Sequence, residues 1–544
     1  MTRHHRPRRV ATGVAAAFTV SWLAVSGVPA VAQPQPGAGP GQLAAAQQYV
    51  QISGAGSTWS YNAIDNWRRN IQQFGIVVNY AATGSTDGRN QFKNGTVDFG
   101  VSEIPYGQRD SFVVGDQPPG RNYAYMPIVA GGTAFMYNLK INGRRVTNLR
   151  LSGEVISKIF TGVLKRWNDP AIKVDNPGLQ LPARTIVPVV RSDGSGTTAQ
   201  FTLWMSKQHS ALWNNYCRRL GRPTPCGLTS FFQFRAADGF IGQSGSNGVS
   251  GYVAQNNAEG AITYVEYSYA LNQRFPVVKV LNRAGYYTEP TAPNVAVALL
   301  RAQINNNSGS AEYLTQKLDR VYSNSDPRTY PLSSYSYMIL PTSTEQGFTN
   351  DKGRTLGAFG YYFLCEGQQQ ADVLGYSPLP INLVKAGLRQ VKRIPGVDVR
   401  SVNIAGCNNP TFSRNGSNTL ARNAPQPSAC DRRGPVQGTA GTGGARQETP
   451  VLASARCVPG ATGGQGGGGG PTGGSSGGPT GGSSGGPSTG PSGSASPTGL
   501  AIDPDTGEVL GSTEGVEGEQ VDAQPVSLAA EHGWGIRHTL MLLA

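Results

Sequence analysis

The chain has 544 residues, with 46 lysines and arginines against 32 aspartates and glutamates and a formal net charge of +14. Its length allows several domains, but 73 glycines and 37 prolines indicate that part of it forms no packed core. The positive charge suits an anionic ligand or surface. Nucleic acid is not expected as a partner, because the basic residues are scattered, blocks such as Lys392-Arg393 are short, and no recognition motif occurs.

The first 32 residues predict an export signal. Arginines at positions 3, 6, 8 and 9 precede an apolar run over residues 10–28 and the small-residue stretch Ala30-Val31-Ala32. A transmembrane anchor stays open as an alternative, since the run is long. The first cysteine is Cys217, so no N-terminal lipid anchor is expected. Residues 33–48, rich in Pro, Gly, Ala and Gln, predict a flexible leader.

The next segment predicts a β-α-β unit. Residues 49–52 predict a strand, residues 53–58 a glycine-rich turn, residues 59–74 a helix and residues 76–80 a second strand. Four apolar residues share one face of this helix: Ile64, Trp67, Ile71 and Phe74. Parallel strands joined in this way bring ligands to their carboxyl ends.

A second glycine and hydroxyl turn follows at residues 83–88. It opens a short helix predicted over residues 89–93, and the strand predicted at residues 97–101 ends at Ser102-Glu103. From Met126 to Asn138 an apolar run interrupted by Gly131-Gly132 predicts a strand that crosses into a second lobe. That lobe is expected to include a helix near residues 152–160 and the stretch at residues 260–267.

The stretch from Arg191 to Thr198 is the strongest binding signal. It joins a β-branched run at residues 185–190 to a predicted helix with Phe201, Trp204 and Met205 at helical spacing. Such a turn points backbone N–H groups and the positive end of a helix dipole at an anion, beside the fixed cation of Arg191. An ordinary capped helix remains the alternative for this stretch alone. Three such turns in one α/β pattern favour a tetrahedral oxyanion.

Later segments complete the predicted domain organisation. Helices are expected at residues 294–304, 353–369 and 381–394. In the last of them Leu383, Val384, Leu388 and Val391 are expected to face inward, and the basic residues form the outer face. The predicted divisions are a signal peptide at 1–32, a leader at 33–48, lobe 1 at 49–128 with 268–395, lobe 2 at 129–267, a disulfide-stapled extension at 396–460, and a low-complexity, disordered linker with an acidic tail at 461–544. The apolar end of the chain is too short to span a bilayer, although a cut-off anchor stays open.

The six cysteines, at 217, 226, 365, 407, 430 and 457, suit disulfides in an oxidising compartment. Fifteen pairings are possible, and pairing in sequence order is the simplest. A metal site is not expected, because no C-x-x-C motif occurs and histidine is scarce.

With these residues together, the chain resembles the PstS-type phosphate-binding proteins that serve phosphate ABC importers. The resemblance covers residues from about 50 to 395. Five stretches carry it in the family's order: Gly54-Ala55-Gly56-Ser57-Thr58-Trp59; Gly84-Ser85 with Val97 to Glu103; Ile159-Phe160-Thr161-Gly162 with Trp167-Asn168-Asp169-Pro170; Arg191 to Thr197; and Tyr264 to Ala270.

The resemblance implies a two-lobed α/β fold of the periplasmic-binding-protein type (type II), hinged by crossing strands and closing on one inorganic phosphate. It also implies an exported or cell-envelope protein, a monomer without a cofactor, whose partners are ABC permease subunits. Phosphate oxygens would accept hydrogen bonds from Thr58, the N–H of Trp59, Ser85, Arg191, Ser195, the N–H of Gly196 and Thr197.

Two carboxylates complete the implied site. Asp193 would pair with Arg191 and hold its guanidinium in place. Glu103, at the end of the Val-Asp-Phe-Gly strand, would accept the proton that phosphate carries near neutral pH. Sulfate has no such proton and would set two anions against each other, so the carboxylate would reject it.

Three residues depart from the family's pattern. Glu103 stands where Asp is usual and is one methylene longer, so the carboxylate must retract or the pocket must be wider. Asp87 stands where a small residue is usual; it is either a second carboxylate near the site or a helix-start cap. Trp59 replaces the usual Phe, a change expected to be tolerated because the backbone is the donor there.

An enzyme is not expected. Of the five histidines only His209 lies in the body of the chain, and residues 33–460 contain no G-x-S-x-G, S-x-x-K, H-E-x-x-H or P-loop motif. A second alternative is a surface scavenger, sensor or wall-associated module that binds phosphate without delivering it to a permease. The extension and the long tail, which the family core does not need, motivate that alternative.

Overall fold

A computed structural model describes residues 49–112 and 117–457, together with the backbone of two short strands at 501–502 and 509–510. The predicted signal and leader lie outside the described residues, as does nearly all of the predicted linker and tail. None of the helices in the described part combines the length and the hydropathy that crossing a bilayer requires.

Seventeen strands occur in the described residues. They are β1 (Ile52–Gly56), β2 (Val78–Ala81), β3 (Phe99–Ser102), β4 (Tyr123–Tyr137), β5 (Lys140–Ile141), β6 (Arg144–Arg145), β7 (Arg150–Leu151), β8 (Val187–Arg191), β9 (Ile241–Gln243), β10 (Ala261–Glu266), β11 (Lys279–Leu281), β12 (Tyr287–Thr288), β13 (Gln303–Ile304), β14 (Gln316–Lys317), β15 (Ser333–Pro341), β16 (Ala501–Ile502) and β17 (Val509–Leu510).

Thirteen α-helices occur in the same residues. They are α1 (Tyr61–Ile71), α2 (Ser85–Lys93), α3 (Gly153–Phe160), α4 (Pro170–Asp175), α5 (Gly196–Gln208), α6 (Ser210–Arg219), α7 (Gly245–Val253), α8 (Tyr267–Asn272), α9 (Ala292–Leu299), α10 (Asp319–Tyr322), α11 (Asn350–Cys365), α12 (Ile381–Val391) and α13 (Thr419–Arg422). Short 3-10 turns extend α1 and α11 at Gln72–Phe74 and Glu366–Gln370.

The main sheet has eight strands in the order β2-β1-β3-β15-β4-β10-β8-β9. At one end β1 runs parallel to β2 and β3, and at the other β8 runs parallel to β9 and β10. Antiparallel pairing of β15 and β4 joins the two groups in the middle. The mixed α/β architecture agrees with the predicted fold class.

Strand β4 is the crossing strand that the sequence predicted. Its residues 123–132 pair with β15, and its residues 133–137 pair with β10 on the other half of the sheet. All of its positions except Tyr123 are buried. A strand covered on both faces requires a nearly continuous apolar run, which explains the lack of alternation in its sequence.

The two glycines in β4 are required by close packing. A Cβ at Gly131 would lie 2.7 Å from the Trp59 ring, and a Cβ at Gly132 would lie 2.5 Å from Cβ of Pro290. Both distances are below van der Waals contact with groups that cannot move away. The glycines therefore let side chains from two other segments pack directly on the crossing strand.

Several predicted element boundaries were wrong. The first strand covers residues 52–56 and not 49–52, so most of the predicted glycine turn belongs to the strand. Glycine is required at position 54 because the Phe99 ring packs over it, 2.2 Å from where a Cβ would be. The helix predicted from residue 89 begins at 85. The helix predicted over 294–304 begins at Ala292, with Pro293 in its first turn, and ends at Leu299.

Other predictions were confirmed. Residues 64, 67 and 71 of α1 are buried, as are Leu383, Val384, Leu388 and Val391 of α12. The basic residues of α12 face outward with Arg400 along a surface groove of about 290 Å³. The three disulfides follow sequence order: Cys217–Cys226, Cys365–Cys407 and Cys430–Cys457.

The predicted extension packs closely on the body. The buried guanidinium of Arg150 donates to the carbonyls of Cys430 and Val436, each at 3.1 Å. Lys279 forms an ion pair with Asp431 at 2.8 Å. Strand β7, in predicted lobe 2, pairs with β11, which was predicted for lobe 1. The lobe boundaries therefore stay a prediction. The contacts of Arg150 and Lys279 show that the extension packs against the residues before it in the chain.

His209, the single histidine among the described residues, is expected to make the folding stability depend on pH. Burial lowers the pKa of His209 to about 4, and the Trp204 ring lies 4.8 Å away, edge-on. The imidazole stays neutral in the folded protein but is charged in the unfolded chain below about pH 6.5. Folding stability is therefore lost as the pH falls from about 6.5 towards 4, by about 2 kcal/mol at pH 4.5.

We expect His209→Gln to remove this component. Urea unfolding at pH 7 and pH 4.5 measures it, because the difference in unfolding free energy between the two pH values should be smaller in the variant. An identical difference in both proteins would show that His209 is solvated and not buried.

Candidate functional site

The predicted turn joins β8 to α5. Ser195 caps the helix, its Oγ accepting from the amide of Thr198 at 3.1 Å, and its own amide donates to the carbonyl of Ser230 at 2.8 Å. The hydroxyl of Thr197 is buried and has no hydrogen-bond partner among the described residues. A buried, unpaired hydroxyl is costly, so a polar group contributed by a ligand would be stabilising here.

Arg191 and Asp193 form a bidentate ion pair at the end of β8. Nε of Arg191 donates to Oδ1 of Asp193 at 2.6 Å, and Nη2 donates to Oδ2. Burial alone would raise the pKa of Asp193, but the Arg191 guanidinium and the amide of Gly245 hold it below its usual value. The carboxylate therefore stays ionised and fixes the guanidinium in one orientation.

Thr58 reaches this cation through a residue that the sequence analysis missed. Its Oγ1 lies 2.8 Å from Oγ of Ser246, at the start of α7, and Nη1 of Arg191 lies 3.4 Å from the same Oγ. The stretch Gly245-Ser246-Asn247-Gly248 forms the first turn of α7, so a glycine and hydroxyl stretch again opens a helix. The pattern that identified the other turns could therefore have found Ser246 as well.

Glu103 follows β3 and is 1% exposed. Its Oε2 accepts from Ser85 at 2.7 Å, and its Oε1 accepts from Ser336 at 2.9 Å and from Ser57. A Cβ at Gly196 would lie 2.0 Å from Oε2. The carboxylate thus lies against the start of α5, and only glycine fits at that position.

The structure places Trp59 beside the site through its backbone alone. The side chain is buried against Gly131, with its ring centre 5.7 Å from that of Tyr376, and its Nε1 has no partner among the described residues. The backbone amide, the predicted donor, donates to Oγ of Ser57 at 3.0 Å.

Two roles were open for Asp87: a second carboxylate near the site or a helix-start cap. It lies exposed in the first turn of α2 and accepts from Gln91 one turn later. Gly84 occupies the N-cap position of that helix, and no side chain caps it. Asp87 is therefore not a cap, because the helix begins four residues earlier than predicted, and its exposed carboxylate bonds Gln91 and is not buried as that of Glu103 is.

Segments from before and after the crossing strand meet around the site. The amide of Thr86 donates to the carbonyl of Gly194 at 3.1 Å. Further out, Oδ2 of Asp110 accepts from the amide and the hydroxyl of Ser230, at 2.7 and 2.9 Å. Ser230 also accepts from Ser195, so Asp110 is connected to the start of α5 through one residue.

The chemistry of the site follows from its groups. Hydroxyls, helix-start amides and one paired arginine surround a buried carboxylate. Among the described residues, no group of three or more His, Cys, Asp or Glu side chains could hold a metal ion. Donors around a single acceptor suit an oxyanion that still carries a proton.

One long strand crosses the main sheet, and hydrogen-bond donors from both halves of that sheet meet at the site. This arrangement is typical of a solute-binding protein. The model of the PBP superfamily domain matches residues 41–366, so the chain belongs to that superfamily. Within it, the chain belongs to the PstS-type phosphate-binding proteins, because a PstS protein that it matches over 83% of that protein's length is 33% identical to it.

Two relatives and one solved structure illustrate the similarity. The phosphate-binding protein PstS of Xylella fastidiosa (strain Temecula1) is 33% identical over 338 residues, 62% of this chain and 83% of that protein. PstS of Haemophilus influenzae is 29% identical over 340 residues, 62% of this chain and 91% of that protein. The ancestral soluble variant of the human phosphate binding protein is 17% identical, with a TM-score of 0.48, covering 66% of this chain and 98% of that one.

Proposed function

We propose that this protein is exported, binds inorganic phosphate and delivers it to an ABC-type importer in the membrane. The observation that carries the proposal is the position of Glu103, whose Oε2 contacts Ser85 and the start of α5. A buried acceptor among donors recognises an oxyanion that can donate one proton. Phosphate near neutral pH has that proton, and sulfate does not.

The remaining donors would bind the unprotonated oxygens. Arg191, held by Asp193, supplies the positive charge, and the N–H of Gly196 and the hydroxyl of Thr197 lie at the positive end of the α5 dipole. Ser195, Thr58 and the N–H of Trp59 would complete the set of donors. In the structure Thr58 and Trp59 bond Ser246 and Ser57, so binding would exchange those bonds for bonds to the ligand.

Export and delivery rest on two further arguments. The predicted signal at 1–32 would bring the chain across the membrane, where the three disulfides are stable. The two curated relatives described above carry the name phosphate-binding protein PstS. We assign the protein no reaction, and we expect it to act as a monomer with the permease subunits as its membrane partners.

Equilibrium dialysis of the purified protein against radiolabelled phosphate tests the binding. Uptake of the label by cells with and without the gene tests the delivery. We expect saturable binding of one phosphate per chain and slower uptake without the gene. Binding with unchanged uptake would favour the alternative of a surface scavenger or sensor, and no binding would contradict the proposal.

Removing the Asp110 carboxylate is expected to speed phosphate release. Asp110→Ala breaks both hydrogen bonds to Ser230. The contact between the segment before β4, which carries Asp110, and the segment after α6, which carries Ser230, is then weaker, so the dissociation rate of phosphate should rise about tenfold. Stopped-flow displacement of bound phosphate measures that rate. Asp351→Asn, which removes an exposed carboxylate paired with Arg354, is the control and should leave it unchanged. An unchanged rate in Asp110→Ala would show that this contact does not hold the site closed.

A further inference from the structure

Two serines from separate segments bond one carboxylate oxygen of Glu103, and a third serine bonds one of the two. Ser57 and Ser60 lie just before α1, and Ser336 lies on β15; all three are fully buried. The hydroxyls of Ser57 and Ser336 both bond Oε1 of Glu103. Oγ of Ser60 lies 3.1 Å from Oγ of Ser336. We call these three residues the hydroxyl cradle.

The bonds around Ser57 fix the direction of its proton. Its Oγ accepts from the amides of Trp59 at 3.0 Å and Ser60 at 3.3 Å. Because both acceptor positions are occupied by N–H groups, the single hydroxyl proton is directed at Glu103. Ser57 is therefore a donor to Oε1.

The same reasoning applies to Ser336. A serine hydroxyl has one proton, and an ionised carboxylate can only accept. The Ser336 hydroxyl thus donates to Oε1 of Glu103, 2.9 Å away, and it also lies 3.1 Å from Oγ of Ser60, which accepts from it. Two donors therefore converge on Oε1, and Oε2 is the oxygen that lies beside Gly196 at the start of α5.

We propose that the hydroxyl cradle is the positioning device that lets a glutamate act as the proton acceptor for the ligand. It occupies Oε1 and rotates the carboxylate so that Oε2 alone is presented beside Ser85 and Gly196. The side chain of Glu103 is one methylene longer than the aspartate usual in the family. The hydrogen bonds to Oε1 keep the longer side chain from extending into the space of the ligand. One acceptor oxygen, Oε2, then remains available to the ligand.

This inference rests on the proposed function and deepens it, because it assigns selectivity to residues that do not touch the ligand. The strand that carries Ser336 also supplies a matched control. Ser334 lies two residues earlier on β15, is 2% exposed, and its hydroxyl has no hydrogen-bond partner among the described residues. Ser334→Ala and Ser336→Ala therefore remove the same atom from the same buried strand.

Calorimetric titration of the purified protein with phosphate and with sulfate tests the cradle. We expect Ser336→Ala to weaken phosphate binding about tenfold, as for loss of a hydrogen bond to a charged group, and to lower the ratio of phosphate to sulfate affinity. Ser57→Ala should change the ratio in the same direction, and Ser334→Ala should leave it within about twofold of wild type. Thermal unfolding of each variant checks that it is folded.

A double-mutant cycle separates positioning from general damage. In a Glu103→Gln background the cradle has no carboxylate to orient, so adding Ser336→Ala should change the affinity ratio by less than about twofold. An equal change in both backgrounds would overturn the proposal, as would a wild-type ratio in both Ser336→Ala and Ser57→Ala. If the wild-type protein prefers phosphate and these variants behave as wild type, the role given to the hydroxyl cradle is wrong and the proposed function stands. If the wild-type protein binds no phosphate, both the proposed function and the role given to the hydroxyl cradle are wrong.

Discussion

Arg191→Ala is expected to weaken phosphate binding by about 2–5 kcal/mol, the range typical when one partner of a buried charged pair is removed. The substitution removes the cation at the end of β8 and leaves the carboxylate of Asp193 without its bidentate partner. That uncompensated negative charge would then repel the ligand. Calorimetry of the purified variant with phosphate measures the loss.

Arg328 provides the matched control for this prediction. It forms the same kind of bidentate pair with Asp326, two residues away, through bonds of 3.0 and 2.8 Å. Arg328→Ala therefore breaks an equivalent pair outside the site, and phosphate affinity should stay at the wild-type value. A loss below about 2 kcal/mol in Arg191→Ala would mean that Arg191 does not bind the ligand.

Glu103→Gln is expected to abolish discrimination against sulfate. The glutamine amide keeps the shape of the side chain but replaces an acceptor-only group with one that can also donate to an unprotonated oxygen. Sulfate should therefore bind with an affinity comparable to that for phosphate, while phosphate binding weakens. Titrations of wild type and variant with both anions at the same pH and ionic strength measure the ratio.

Selectivity that is unchanged in Glu103→Gln would contradict the role given to Glu103. Asp87 would not be an alternative acceptor in that case, since its carboxylate is exposed and bonded to Gln91. The discrimination would then have to come from the shape of the donor set around Arg191.

The contiguous parts of the site could be predicted from the sequence, because their geometry is local. A strand, a glycine turn and a capped helix place Arg191, Asp193 and Ser195 together without reference to the rest of the chain. Ser85 and Glu103 depended on the family resemblance, which supplied their order and spacing. The structure brings both residues to the start of α5.

The parts that sequence reasoning missed depend on long-range packing. Ser336 lies in a strand with no glycine or helix start to mark it, and it reaches Glu103 only because β15 pairs with β3 and β4. The shift of β1 has a similar origin, since the Phe99 ring packs over Gly54 and makes a predicted turn part of the sheet. Cysteine spacing suggested the disulfides, but nothing local indicated that Arg150 would bind the extension.

The most direct test of the central claim is calorimetric titration of the wild-type protein with phosphate and then with sulfate. We predict one phosphate bound per chain and no sulfate binding over the same concentration range, because the acceptor oxygen of Glu103 has no proton to accept from sulfate. Sulfate binding as tight as phosphate binding would contradict the account.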